Sequence, residues 1–496
     1  VLRAGAALAA LAALPACGPL GSGVARLVEG SPEKLRLPTG DTVDPVFHLL
    51  ARMAWGSRPG DVERVAAMGR DAWIEEQLAP SSIDDTACEL RLSDCELAED
   101  EPADLMSVDP SHIDRHLARA ALIRAVHSKR RLLEVMAAFW GDHFSIDTGK
   151  KGCAQTKPRD DRTVVREHAL GRFRDLLGAS ALSPAMLFYL DGASNRGDAA
   201  ARPNENYARE LLELHTLGVR GGYTQRDVME AARCLTGWTV EDRGGMAIFH
   251  RGETVFRPER HDDGEKTVLG TTVPAGGGAR DVELLLDIVA SHPATQRRIA
   301  WKLCRRFVAD PPPESVVALA TKEFATTGGD IAATVRQILV SPDFAASAGL
   351  KVKRPFEFVV SALRATGAEC RGTPRELSFL TRMGHMPFRY PTPDGYPEEP
   401  EPWMGTLLWR WNFAVALTTG GLGATEADVD ALARRAGLDP RKASPADLAP
   451  LFLGRAATAG ERGALDAYAG RNTGDRATRR REAAALLLAS PAFQVT

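Results

Sequence analysis

The chain has 496 residues, and its 62 Lys+Arg nearly balance 65 Asp+Glu, so no broad electrostatic attraction to nucleic acid or to an anionic membrane surface is expected. Hydrophobic residues make up 44% and charged residues 26%, close to the averages of soluble globular proteins, which argues against wholesale disorder and against a polytopic membrane protein. Length alone allows several domains or one elaborated domain.

Residues 1–17, VLRAGAALAALAALPAC, combine a single Arg3 with an Ala/Leu run and end in Leu14-Pro15-Ala16-Cys17. The run is shorter than the roughly 20 residues a spanning helix needs. It resembles a bacterial lipoprotein signal with Cys17 as the lipidated residue, so export to the cell envelope or periplasm is expected, with membrane attachment only through Cys17. Residues 18–42 read as a flexible linker and residues 43–496 as one mainly helical domain. Beyond Cys17 lie Cys88, Cys95, Cys153, Cys234, Cys304 and Cys370, an even number that permits disulfides in an exported chain. Cys88 and Cys95, close together in TACELRLSDCEL, are the expected pair. Cys234 and Cys304 sit beside apolar residues in helical patterns and read equally well as buried small hydrophobes.

Apolar residues three and four apart predict helices over Ile113–Ser128, Leu132–Phe144, Thr163–Leu177, Pro203–Leu217 and Thr224–Thr236. Short alternating stretches with Arg251-Gly252 and Asp263-Gly264 turns predict a small β-hairpin insertion over Met246–Gly270. Helical patterns resume near Asp281 and continue through HPATQRRIAWKLCRRFV, DIAATVRQILVSP and RPFEFVVSALRAT. Met386–Trp403 is too rich in proline for helix or central strand and predicts an ordered crossing loop. Two more amphipathic helices close the chain, the first with Ser444 as N-cap. The fold class is therefore mainly α, a large multi-helix domain with a small hairpin insertion.

The segment NENYARELLELHTLGVRGGYTQRDVMEAARCLTGW carries most of the candidate chemistry. On its first helix Tyr207, Leu211, Leu214 and His215 face the core, while Asn206, Arg209, Glu210 and Glu213 gather on another flank. Thr224 and Asp227 form a helix-start signature, and Asp227, Glu230 and Arg233 align on the second helix. These residues predict either a buried ion network between two helices or an acidic cation site. His143, at a helix end in AFWGDHF, suits a ligand, a general base or a cap, and His261-Asp262 precede a turn followed by Lys266.

AFWGDHF, PAMLFYLDGASN, NENYARELLELHTLGVRGGYTQRDVMEAARCLTGW, HDDGEKTVLG, HPATQRRIAWKLCRRFV and PTPDGYP, in this order, resemble the DUF1800 family of bacterial proteins without an assigned function. The resemblance runs from about residue 45 to the C-terminus and implies an exported protein. It also implies, as a possible partner, a DUF1501 protein whose fold is similar to the sulfatase and alkaline phosphatase group. The polar positions it carries over are His143, Asn204, Asn206, Arg209, Glu210, Glu213, Asp227, Glu230, Arg233, His261, Asp262 and Lys266.

Two functional readings follow. In the first, the protein is a metal-dependent or acid/base enzyme of the cell envelope, with His143, Glu210, His261 and Asp262 as catalytic groups. A divalent cation would then sit on His143, Glu210, Glu213 and His261. No HExxH, GxSxG or phosphate-loop signature supports a particular reaction. In the second, the protein is a non-catalytic envelope scaffold or binding protein that works with the sulfatase-like partner, and Asn206, Arg209, Asp227, Glu230 and Arg233 form an internally paired structural network. Convergence of His143, Glu210 and His261 on one concave pocket with spare ligand positions would favour the enzyme, and an internally paired network would favour the scaffold.

Overall fold

The computed structural model describes residues 18–29, 34–198, 202–241, 251–425, 427–439, 442–471 and 474–496. It is mainly α, as the periodicity predicts, and its β structure among these residues is confined to two two-stranded antiparallel ribbons. The helices that matter below, numbered in chain order, are α1 (Gly18–Glu29), α2 (Pro45–Met53), α3 (Pro110–His127), α4 (Arg131–His143), α5 (Glu205–Glu210), α6 (Gln225–Cys234), α7 (Arg280–Ser291), α8 (Pro293–Phe307), α9 (Pro355–Thr366), α10 (Leu407–Thr418) and α11 (Arg476–Ala489). One apolar core runs through them from Leu49 on α2 to Phe493 near the C-terminus, and a small satellite core gathers Cys88, Cys95, Leu105, Ile113 and Leu117. No helix among the described residues is long and apolar enough to cross a membrane. The signal-like residues 1–17, Cys17 included, lie outside the described residues.

Several expectations are corrected. Part of the presumed flexible segment 18–42 is α1, tied down by Arg26 to Glu369 at 3.1 Å and by Glu29 to Arg58 and Arg91 at 2.6 and 2.9 Å. Its polar residues find fixed partners, which a linker lacks. The expected Cys88–Cys95 bridge is not formed: both thiols are free and buried as small apolar groups of the satellite core. The helix expected over 163–177 is interrupted: a π-helical stretch covers Asp160–Arg166, and a new helix starts at Phe173. Between them Arg172 bridges to Asp330 and Gly171 accepts a hydrogen bond from Ile331, so tertiary backbone pairing replaces the next helical turn.

The expected single hairpin is two ribbons, with residues 242–250 of the span outside the described residues. Strand β1 (Trp238–Val240) pairs with β2 (Thr254–Phe256), Thr239 opposite Val255; β3 (Lys266–Val268) pairs with β4 (Thr271–Val273), Thr267 opposite Thr272. The second ribbon turns through Leu269 and Gly270, both at positive φ (49° and 77°), the geometry of a tight two-residue hairpin turn. Leucine is disfavoured there, and α6 offsets the cost: Leu269 N–H donates to the Asp227 carboxylate at 2.7 Å. The same helix opens with the expected capping box between Thr224 and Asp227.

Candidate functional site

Four sequence blocks meet where α4 ends. His143, in the last turn of α4, is 2% exposed and lies among Trp140, Phe144 and Phe173 at ring-centroid distances of 5.3, 4.5 and 6.3 Å. After α5 the chain continues as a π-helical turn, Leu211–His215, a widened geometry that often marks functional positions. The backbone carbonyl of His215 lies 3.1 Å from Nε2 of His143. A carbonyl only accepts, so Nε2 carries the proton, and Nδ1 of the neutral ring presents a lone pair. On that lone pair sits Nζ of Lys302, from α8, at 2.8 Å.

The electrostatics of this pair are unusual. Burial, reinforced by the fields of Lys302 and the His215 side chain, holds His143 well below the ordinary histidine value, so it stays neutral. Lys302 is lowered from 10.5 to about 7, first by burial and then by Arg298; the fields of Glu398 and Asp142 oppose the shift without cancelling it. The amine thus points at a neutral base where a carboxylate would ordinarily neutralise it. Its helix supplies no relief: PATQRRIAWKLCRRF contains five cations and no acid.

The proline-rich loop closes the arrangement. Gly395 approaches so closely that a Cβ there would stand 2.1 Å from the Asp142 carbonyl oxygen, and its φ of 77° suits glycine. Asp142 accepts from Arg354 Nη1 at 2.7 Å, and Glu398 is 3.5 Å from the same nitrogen. A cavity of about 80 Å³ adjoins these groups, lined by Gly141, Asp142, Arg354, His385 and Tyr396 and bounded by the Glu134–Arg166 ion pair.

The other predicted residues go elsewhere. Glu210 and Glu213 are partly exposed on the same helical stretch; burial and the neighbouring Glu213 charge raise Glu210, which has no ion-pair partner among the described residues. Glu213 accepts from the Tyr223 hydroxyl at 3.3 Å. Asn206 is exposed and donates to the Leu190 carbonyl at 3.0 Å, while Arg209 pairs with Glu205 at 3.1 Å and Gln225 at 3.0 Å. This flank was expected to be buried against α6; it is not, because Glu205 and Gln225 satisfy Arg209 near the surface. His215 takes the core reading, 1% exposed and lowered to about 3, first by burial.

A second polar centre forms around His261. Arg233 grips Asp262 with two nitrogens at 2.7 and 3.0 Å and donates to Glu230 at 2.7 Å, and Glu230 also accepts from the Thr267 N–H at 3.2 Å. So Asp227, Glu230 and Arg233 do build a network, aimed at β3 and its turn in place of α5. Beneath it His261 lies 2.9 Å from the Thr236 carbonyl and 3.2 Å from the Asp281 carboxylate. Lys266 contacts that same carboxylate and the Asp262 carbonyl, with Lys266 and Asp281 fully buried.

A divalent ion does not fit the donors expected for it. Both ring nitrogens of His143 and both of His261 face internal partners, the two histidines share none of them, and Glu210 stands with neither. No group of three or more His, Cys, Asp or Glu side chains among the described residues is arranged to hold a metal. Lys302, absent from the sequence-based candidates, carried one signal: it belongs to a helix of five cations without an acid, so any neutralising partner has to come from another element, as it does for Arg297, Arg305 and Arg306.

No curated protein and no solved structure matches the chain. The model of the family described as "protein of unknown function (DUF1800)" matches residues 48–495, and the chain belongs to that family.

Proposed function

We propose that the protein is an acid/base enzyme of the cell envelope in which the Lys302 amine exchanges the proton or attacks an electrophile, oriented by His143. The observation that carries this reading is the 2.8 Å contact between Lys302 Nζ and Nδ1 of a buried imidazole whose other nitrogen is committed to the His215 carbonyl. An amine near 7 is half unprotonated at neutral pH, the condition for efficient proton transfer and for nucleophilic attack. His143 accepts from the amine in either protonation state, so it fixes the direction of the free lone pair without competing for the charge. Arg298, on the same helix, supplies positive charge for an anion developing on the substrate, whereas Arg305 is paired with Asp310 and Glu399 at 2.9 Å.

Two measurements on the full chain test it. Reductive methylation with ¹³C-formaldehyde and an NMR titration should give one lysine resonance near pH 7 that disappears in Lys302→Met. A panel of chromogenic acyl, phosphoryl and glycosyl esters should then show turnover that Lys302→Met abolishes and His143→Phe reduces. A Lys302 that titrates at its ordinary 10.5, with no turnover difference between parent and Lys302→Met, overturns the reading. Export and anchoring belong to the same proposal and rest on residues 1–17; incorporation of labelled palmitate that is lost in Cys17→Ala is the expected result.

The binding-protein alternative is favoured by the separation of His143, Glu210 and His261, by the internal pairing of Asp227, Glu230 and Arg233, and by an exposed apolar stripe. Met404, Leu408, Trp411 and Val415 form a stripe along α10 and the turn before it, each about half exposed at 48, 59, 47 and 51%. A sulfatase-like partner that docks there should lose affinity when Trp411 and Leu408 are replaced by serine, with Lys302→Met unaffected.

A further inference from the structure

Lys353 occupies an environment that its partners in the protein do not complete. The C-terminal segment lies along residues 351–353: Val495 bridges to Val352, Lys353 N–H donates to the Gln494 carbonyl at 2.8 Å, and Thr496 N–H donates to the Lys351 carbonyl at 2.8 Å. This clip, with α2 and α9, encloses a cavity of about 240 Å³. Its apolar wall includes Phe47, Phe452, Leu453 and Phe493, and its polar lining is Lys353, Ser361, His48, Arg455, Ser57 and Thr496, with no carboxylate side chain.

Lys353 is 5% exposed. Its ammonium donates to Ser361 Oγ at 2.9 Å and lies 3.6 Å from the centre of the Phe493 ring, which leaves one of its three N–H groups without a protein acceptor among the described residues. Glu357, whose field reaches the amine, is already committed to Arg306 and Arg354. Arg455 is neutralised by Glu461 at 2.8 Å. Burial lowers Lys353 to about 7, so the amine holds its charge only in part at neutral pH, and a small anion in the cavity would stabilise the charged form.

His48 adds a second incomplete group. It is 4% exposed; Nε2 lies 3.0 Å from the Phe344 carbonyl, which makes Nε2 the protonated nitrogen, and Nδ1 has no partner. Burial lowers His48 to about 4, so the ring is neutral and Nδ1 is a vacant acceptor. The cavity therefore offers a cation in need of an anion, an acceptor in need of a hydroxyl donor, and aromatic walls. Its volume exceeds the roughly 150 Å³ of an engineered cavity that accommodates benzene.

We propose that the cavity enclosed by α2, α9 and the C-terminal segment binds a small hydroxylated carboxylate, its carboxylate on Lys353 Nζ, its hydroxyl on His48 Nδ1 and its apolar body against Phe47, Phe452 and Phe493. The site uses none of the residues of the Lys302 centre, so either can fail without the other.

The test is calorimetry on the full chain with benzoate, the three hydroxybenzoates, hexanoate and 6-hydroxyhexanoate, and with benzamide and hexanol as neutral controls. Carboxylates are expected to bind and the neutral controls to bind at least tenfold more weakly. At least one hydroxylated member should bind more tightly than its parent acid, and His48→Phe should remove that advantage while retaining carboxylate binding. Lys353→Met should weaken every carboxylate at least tenfold. In case Lys353→Met does not fold, acetylation of the parent by acetic anhydride, followed by peptide mass spectrometry, should show Lys353 protected at least fivefold by the tightest carboxylate, with the exposed Lys322 unprotected. Failure of every carboxylate to bind the parent, or equal binding of the neutral controls, overturns the proposal.

Discussion

The two polar centres use almost the same residue types and reach opposite results. Around His261, Lys266 meets the Asp281 carboxylate directly, and Asp262 is gripped by Arg233, so every buried charge there has an opposite partner. Around His143, Lys302 meets an imidazole, while the carboxylates that could neutralise it are spent on Arg354. A lysine satisfied by a carboxylate is an element of construction. A lysine left against a neutral base is available for chemistry, because desolvation lowers its proton affinity and no anion restores it.

The comparison breaks first, and most strongly, at Asp281. Asp281→Ala leaves Lys266 and His261 buried without their carboxylate and should cost about 3–5 kcal/mol in denaturant unfolding. A loss under about 1 kcal/mol would show that the His261 centre is not a closed ion network. Above about pH 10.5, where the amine is neutral in both the native and the unfolded chain, Lys302→Met should change stability by less than about 1 kcal/mol, since it removes an amine that no carboxylate neutralises.

The pH dependence sharpens the contrast. Lys302 has a folded value of about 7, below the ordinary 10.5, so between these pH values the unfolded chain binds more protons than the native one. Stability contributed at Lys302 is therefore complete above about 10.5 and is lost progressively as pH falls to about 7. The stability of the parent relative to Lys302→Met should accordingly rise between these limits; a flat difference would mean that Lys302 titrates normally. The smallest effect belongs to Glu210, which lies partly exposed beside Glu213. Glu210→Gln should shift stability by no more than about 0.5 kcal/mol by thermal unfolding, against the larger loss that a buried ion pair would give.

How much of this was legible in the sequence varies with the length scale of the interaction. The capping box of Thr224 and Asp227 and the ion pair of Glu230 with Arg233 lie within one helical turn, and periodicity finds them. The two ribbons were read as one hairpin because the turn at Leu269 and Gly270 contains a leucine at positive φ, tolerated only through Asp227 on another element. Lys302 was missed because its meaning depends on a histidine 159 positions away.

By itself the sequence determined a mainly helical chain, the helix carrying Glu210 and His215, and the set of polar residues from which both centres are drawn. These follow from side-chain period and local capping, which operate over a few residues. Only the tertiary structure decided that His143 and His261 belong to different centres, that Lys302 meets an imidazole, and that the C-terminal segment encloses Lys353. Those outcomes depend on which groups the packing of distant helices desolvates together, and desolvation is a property of the assembled core.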